Sequence, residues 1–313
     1  MDCNTALIGP QVVTGLILGF LYALIALGYT MVYGVLKLIN FAHDVIFATG
    51  GIFIFYMFGI WFGVTEPLTG PALMLAVTVA LLAGGLAASV SAAALERFAY
   101  RPLRKRNAAR LSYLITAIGA SFFMTYMYQQ DFLLGAGKRP FPNFMNSQSA
   151  IFENLLNTRV TDIMFLLVIT SIICLVILDR FINQTRTGAS IRALSEDITA
   201  AQLMGVNIDR VIVTTFVVGG FFAGVAGVLY GMRFGNVVFN MGFIPGLKAF
   251  TAAVLGGIGN IRGAMIGGVG LGLIEHVSSV CIGSEWKNVV AFSVLVLVLV
   301  FKPTGILGER MGG

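Results

Sequence analysis

The sequence predicts an all-α fold of the polytopic helical kind. It reads as an integral membrane protein of about eight or nine spans, with a broken or re-entrant segment near residues 246–263. Three observations carry this. Of 313 residues, 58% are hydrophobic and only 11% are charged, against about 25% charged in soluble domains. Mean hydropathy is +0.90. The apolar residues gather into runs of about 20, the length that crosses the hydrocarbon core as a helix. Residues 1–313 therefore read as a single transmembrane domain.

The first apolar run, 11–32, is long enough to span, and Gly15 and Gly19 form a small-xxx-small pair suited to close helix packing. A polar cluster follows, with Lys37, Asn40, His43 and Asp44. Spans are then expected at 45–62, 72–95 and 111–134. A Gly/Pro turn separates the first two, and the cluster Arg97, Arg101, Arg104, Lys105, Arg106 and Arg110 precedes the third. A polar loop covers 135–160, a fifth span 162–178, a polar island 180–210 and a sixth span 211–232. Beyond it the pattern is less regular. The apolar part of 246–257 is short for a crossing and is broken by GGIGNIRG at 256–263; spans at 264–280 and 288–301 close the chain. No cleavable signal peptide is expected, because the first residues are not basic and the apolar segment continues into the protein.

Net charge is +6, from 20 Lys+Arg against 14 Asp+Glu. The excess lies in loops, so it reports topology and not nucleic-acid binding. The Arg-rich stretches 97–110 and 180–210 are two spans apart, share a side, and are assigned to the cytoplasm. The amino terminus is then outside. Counting 237–257 as one broken span gives nine crossings and puts Arg262, Lys302 and Arg310 inside; a re-entrant segment would give eight.

The island 180–210 contains a short amphipathic helix signal. Ser195 can serve as N-cap, Glu196 and Asp197 suit the positive end of the helix dipole, and Ile198, Ala201 and Met204 follow at three-residue spacing. Gly205 stands where a left-handed residue ends a helix. A simple connection between spans has no need of this helix. It reads either as a docking surface for a cytoplasmic partner or as a helix lying on its own bundle or on lipid headgroups.

His43 and Asp44 adjoin an apolar run. Ionisable groups at membrane depth are functional candidates, whereas at the interface they cost little, and here the interfacial reading comes first. Asn40 or Asp44 can also cap the second span. The glycines from 256 to 272 read as helix packing beyond Gly263. The break at Gly256, Gly257, Gly259 and Asn260 is of the kind that flanks transport pathways. No phosphate-binding loop occurs, the two histidines form no zinc-protease motif, and the three cysteines show no metal or redox spacing. No catalytic or metal site is expected, and the chain does not read as an enzyme.

Five blocks identify a resemblance: LGYTMVYGVLKLINFAH (27–43), ERFAYRPLRKRNA (96–108), ALSEDITAAQLMGVNIDRVI (193–212), AAVLGGIGNIRGAMIGG (252–268) and FKPTGILGER (301–310). Together they resemble the branched-chain amino acid permease family of ABC importers, the first of that system's two membrane subunits, over nearly the whole chain. The resemblance implies a multi-pass protein of the bacterial inner membrane. Its implied partners are a second permease, two cytoplasmic ATPases that bind the ATP and a periplasmic substrate-binding protein, with membrane lipids around it and no nucleic acid. This chain itself would hold no cofactor. The island helix becomes the implied coupling helix, with Ile198, Ala201 and Met204 in an ATPase groove, Arg192, Glu196 and Asp197 at its rim, and Gly205 closing it. Asn40, His43, Asp44, Gly256, Gly257, Gly259 and Asn260 become transport-path candidates, because unwound helix ends offer N–H groups to a carboxylate and carbonyls to an ammonium. Two departures stand out. The family's usual glycine after the histidine is Asp44 here, with Val45 in the acidic slot, and the usual proline of the Gly-Asn-Ile-Pro-Gly turn is Arg262. Related permeases carry urea or short amides. A secondary carrier or channel is the competing class, and it would hold buried carboxylates for ion coupling.

Overall fold

The computed structural model describes residues 5–64, 66–145 and 150–308. Arg310, one of the charges expected inside, lies outside the described residues. The chain is a helical membrane bundle, and among the described residues eight helices are long and apolar enough to cross.

Helix α1, Ile8–Leu36, is an apolar rod that ends where Lys37 turns left-handed (φ 52°) and its N–H bonds back to Tyr33 O. A non-helical arm, 37–42, leads to α2, His43–Ile54, continued by a π-helical stretch Phe55–Trp61. Helix α3, Gly70–Leu95, starts on Pro71 and does not stop where the positive cluster begins. It runs on through a π turn, Glu96–Tyr100, into α4, Arg101–Lys105. The Arg-rich stretch is thus mostly helical, held by ion pairs across to the sixth span. Helix α5 is Arg110–Tyr128 and α6 is Asp162–Gln184. The polar loop between them carries three strands: β1, Arg139–Pro140, and the antiparallel pair β2, Ala150–Leu155, and β3, Thr158–Thr161.

Two short helices follow, α7, Arg186–Glu196, and α8, Ile198–Leu203. Helix α9, Ile208–Phe234, ends like α1, with left-handed Gly235 (φ 66°) bonding back to Gly231 O. A second arm, 235–242, includes β4, Asn236–Val237, which pairs with β1. Helices α10, Phe243–Gly256, α11, Ile261–Ile282, and α12, Lys287–Phe301, complete the fold.

The helices pack through small residues, since apolar surface gains little from leaving lipid and close contact must supply the energy. The α1–α11 and α3–α9 pairs are the most extensive. In the first, a Cβ on Gly15 would lie 2.7 Å from Gly272 O and one on Gly19 would lie 2.8 Å from Val269 Cα, so no side chain fits. The sequence expectation that Gly15, Gly19, Gly268 and Gly272 serve packing holds there.

The β1–β4 pairing ties the 129–161 loop to the start of the second arm at one end of the bundle. The turn 257–260 lies at the other end, where Arg262 pairs with Asp179 near the end of α6. Arm and α10 together therefore cross the bundle. The candidate crossings among the described residues are thus the eight long helices, with the shorter apolar helix α10 beside them.

Candidate functional site

Two regions qualify. The first is the segment 185–207 between α6 and α9. Here the capping chemistry departs from expectation. Thr185, not Ser195, caps the first helix, accepting from Gly188 N at 3.0 Å. Ser195 lies inside α7, its hydroxyl turned onto Arg192 O at 2.6 Å. Asp197 caps the second helix, accepting from Thr199 N at 2.7 Å and Ala200 N at 3.0 Å. Both residue types favour N-caps, so composition alone does not choose between them; the α7 helix, begun at Thr185, claims Ser195 first. Gly205 is left-handed (φ 84°), as expected. Within α8 and just after it the faces divide. Ala201 is 3% exposed and packs on its own chain, whereas Ile198, Leu203 and Met204 are 51%, 83% and 84% exposed. Arg192 bends back to donate to Ile182 O, and Glu196 is exposed. The apolar surface left exposed is therefore Ile198, Leu203 and Met204, with Leu203 the member that the three-residue spacing missed.

The second region is at mid-depth. His43 and Asp44 are buried within the protein against the middles of other helices, a placement that differs from the exposed helix end of the interfacial reading. His43 Nε2 lies 3.3 Å from Ile25 O and its ring is 4.5 Å from Tyr29, both in the body of α1. Asp44 accepts from Ser121 Oγ at 2.9 Å, and Ser121 sits midway along α5. Val45 N donates to the same carboxylate at 2.6 Å. A Cβ on Gly246 would lie 2.8 Å from Asp44 Cβ, and Gly242 packs on the Asp44 carbonyl. The first turns of α2 and α10 therefore meet around Asp44. Each supplies the positive end of a helix dipole to this carboxylate. Asn40 caps the approach, its Oδ1 accepting from Ala42 N at 3.1 Å and from the Tyr100 hydroxyl at 2.9 Å.

Asp44 and Ser121 border a cavity of about 370 Å³ together with Thr125, Gln129, Asn240 and Gly242; a smaller lobe of about 70 Å³ adds Tyr29, Phe41 and Leu247. The larger volume falls within the range of about 300–1,000 Å³ usual for small-molecule sites. A carboxylate, several hydroxyls and two amides on otherwise aromatic and aliphatic walls can hold one small polar headgroup with an apolar tail. Gln129, Asn240, Ser121 and Phe243 were not singled out in the sequence, because only the fold of the two arms brings them to Asp44.

Gly256, Gly257, Gly259 and Asn260 are not at this cavity. They lie about 15 Å farther along α10 from Gly246, at 1.5 Å per residue. Asn260 caps α11, accepting from Gly263 N at 2.9 Å, and donates to Leu307 O at 3.0 Å; Gly257 and Gly259 are left-handed (φ 106° and 102°). The break forms a tight turn clasped by the 302–308 segment.

One buried charge pair escaped the sequence reading. Lys248 Nζ of α10 and Glu275 Oε1 of α11 are 2.6 Å apart, with Tyr22 of α1 beside them. Each residue is visible in its apolar run, but their pairing is set by the α10–α11 contact.

The family described as "Branched-chain amino acid transport system / permease component" matches residues 11–299. The chain is 43% identical to the high-affinity branched-chain amino acid transport permease LivH of Escherichia coli K12 over 305 residues, covering 96% of this chain and 95% of that protein. It is 41% identical to the corresponding permease BraD of Pseudomonas aeruginosa, with the same coverage. A probable LivH of Methanocaldococcus jannaschii is 25% identical over 92% of this chain and 89% of its own. No solved structure matches.

Proposed function

We propose, from the premise that this chain belongs to the family of permease components of branched-chain amino acid transport systems, that it is a membrane subunit of an ATP-driven importer of leucine, isoleucine, valine or similar amino acids. The observation that carries the reading is kinship over nearly the full length with LivH and BraD. The protein is a multi-pass protein of the bacterial inner membrane. It forms the passage with a second permease, receives substrate from a periplasmic binding protein, and couples to two cytoplasmic ATPases that bind the ATP.

In this reading α8 docks on an ATPase through Ile198, Leu203 and Met204, with Arg192, Glu196, Asp197 and Gly205 shaping and flanking the helix and Ala201 holding it to its own chain. Asn40, His43 and Asp44 belong to the transport path at mid-depth. Asp44 receives the substrate ammonium, and the Tyr29, Phe41, Phe122 and Phe243 walls receive its branched side chain. Gly256, Gly257, Gly259 and Asn260 form the inner mouth.

The Lys248–Glu275 pair is the feature a secondary carrier would also show. As a closed pair of opposite sign it is neutral and holds α10 to α11. The test is uptake into proteoliposomes containing both permeases, the ATPases and the binding protein. Labelled leucine should enter only with ATP inside the ATPase compartment, and urea should not compete. Uptake driven by a proton or sodium gradient without ATP would sink the reading, and competition by urea or acetamide would move the substrate class.

A further inference from the structure

We propose that Tyr100 and Glu96 are positioning residues for transport. They transmit the state of the cytoplasmic docking segment to the mid-depth cavity by holding Asn40, and through it the start of α2. The inference rests on the reading that α8 docks an ATPase.

The contacts form an unbroken path. Asn207, just beyond α8, caps α9 by accepting from Arg210 N at 3.0 Å. Asp209, in the first turn of α9, is gripped by Arg101 and by Arg104, the latter at 2.6 Å. Arg104 also donates to Glu96 Oε1 at 2.9 Å. Glu96 is fully buried and opens the π turn that ends at Tyr100, where Arg101 N bonds to Glu96 O across an enlarged turn. Tyr100, 1% exposed, packs between Phe216 of α9 at 5.2 Å and Tyr113 of α5 at 6.0 Å. Its hydroxyl donates to Asn40 Oδ1, the same oxygen that receives Ala42 N. Asp44 lies four residues beyond Asn40.

Two features argue that this path moves as well as braces. π turns are rare interruptions of α-helices and concentrate at functional sites, because the extra residue lets the helix change register locally. In addition, Asn40 Nδ2 and Glu96 Oε2 are buried without a hydrogen-bond partner among the described residues. Buried polar atoms are nearly always bonded. An open donor on one side of Tyr100 and an open acceptor on the other leave the network free to gain partners in a second arrangement. Displacing Asp209 shifts Arg104 and Glu96, turns the π segment, and draws Tyr100 and Asn40 with it.

The test uses the assembled transporter in proteoliposomes and reads labelled leucine uptake and ATP hydrolysis together. Tyr100→Phe removes one hydroxyl and keeps the ring packing; Glu96→Gln removes the charge and keeps an acceptor for Arg104. For either variant, leucine moved per ATP should fall about tenfold, the scale of one lost buried hydrogen bond, while hydrolysis stays within about twofold of wild type. An unchanged ratio in both variants overturns the proposal. So does a parallel loss of uptake and hydrolysis, which would mark a bracing role. Glu96→Gln alone decides the matter if Tyr100→Phe does not reach the membrane. A wild-type transporter that moves leucine without hydrolysing ATP would instead defeat the functional reading on which this one stands.

Discussion

Asp44 owes its environment to two helix starts and a hydroxyl from a third helix, and this combination makes its role testable without unfolding the site. Asp44→Asn keeps the volume and keeps an acceptor for Ser121 Oγ. It removes the charge that an ammonium would meet, and a hydrogen bond to a charged group is worth roughly 1.5–3 kcal/mol. Leucine uptake should fall about tenfold or more, with membrane yield unchanged; uptake within twofold of wild type would take Asp44 out of the path. Lys248 makes the opposite kind of prediction. Lys248→Met leaves Glu275 charged and buried, which should cost about 3–5 kcal/mol and be seen as low yield and early thermal unfolding in detergent. Replacing both, Lys248→Met with Glu275→Leu, should recover most of that loss. Of the three, only Asp44 was legible in the sequence as a candidate, an ionisable group adjoining an apolar run. Their depth and pairing were not, because neighbours far along the chain decide both.

At the scale of elements, α8 shows what local chemistry can and cannot specify. The presence of a short helix near 198–204 and its stop at Gly205 could be read from the chain. Its start could not, since Thr185, Ser195 and Asp197 are all able caps and the preceding α7 decides among them. The consequence is practical. Met204→Glu or Leu203→Asp should release the ATPases from the complex while leaving the permease inserted, measured by copurification from detergent. Ala201→Glu should instead damage the chain's own fold, because that side chain is buried against its neighbours and not offered outward. Equal loss of the ATPases from all three variants, at wild-type permease levels, would refute this division of faces. The spans themselves were readable because their apolar runs are long; the continuation of α3 into α4 was not, because its arginines pair with Asp209, far along the chain, and with Glu96, whose burial beside Arg104 only the fold sets.

The whole molecule is organised by a repeated arrangement that runs in opposite directions. Helix α1, its left-handed stop at Lys37, the arm 37–42 and α2 are matched by α9, its stop at Gly235, the arm 235–242 and α10. The two long helices touch where a Cβ on Gly219 would lie 3.3 Å from Gly28 O. Such inverted pairs with broken helices are a recurring plan in transporters. A cysteine placed at Gly137 should react with a membrane-impermeant reagent from outside whole cells, and one at Gln202 only after the cells are opened; the reverse pattern would invert the topology. The matched arms carry a further consequence. Non-helical backbone at this depth persists only where protein or water covers it, and the arms descend from opposite faces to meet at Asp44. Any charge carried at Asp44 therefore stands within the span of the bundle, where it feels part of the potential across the cell membrane, worth about 2.3 kcal/mol per elementary charge for each 100 mV crossed.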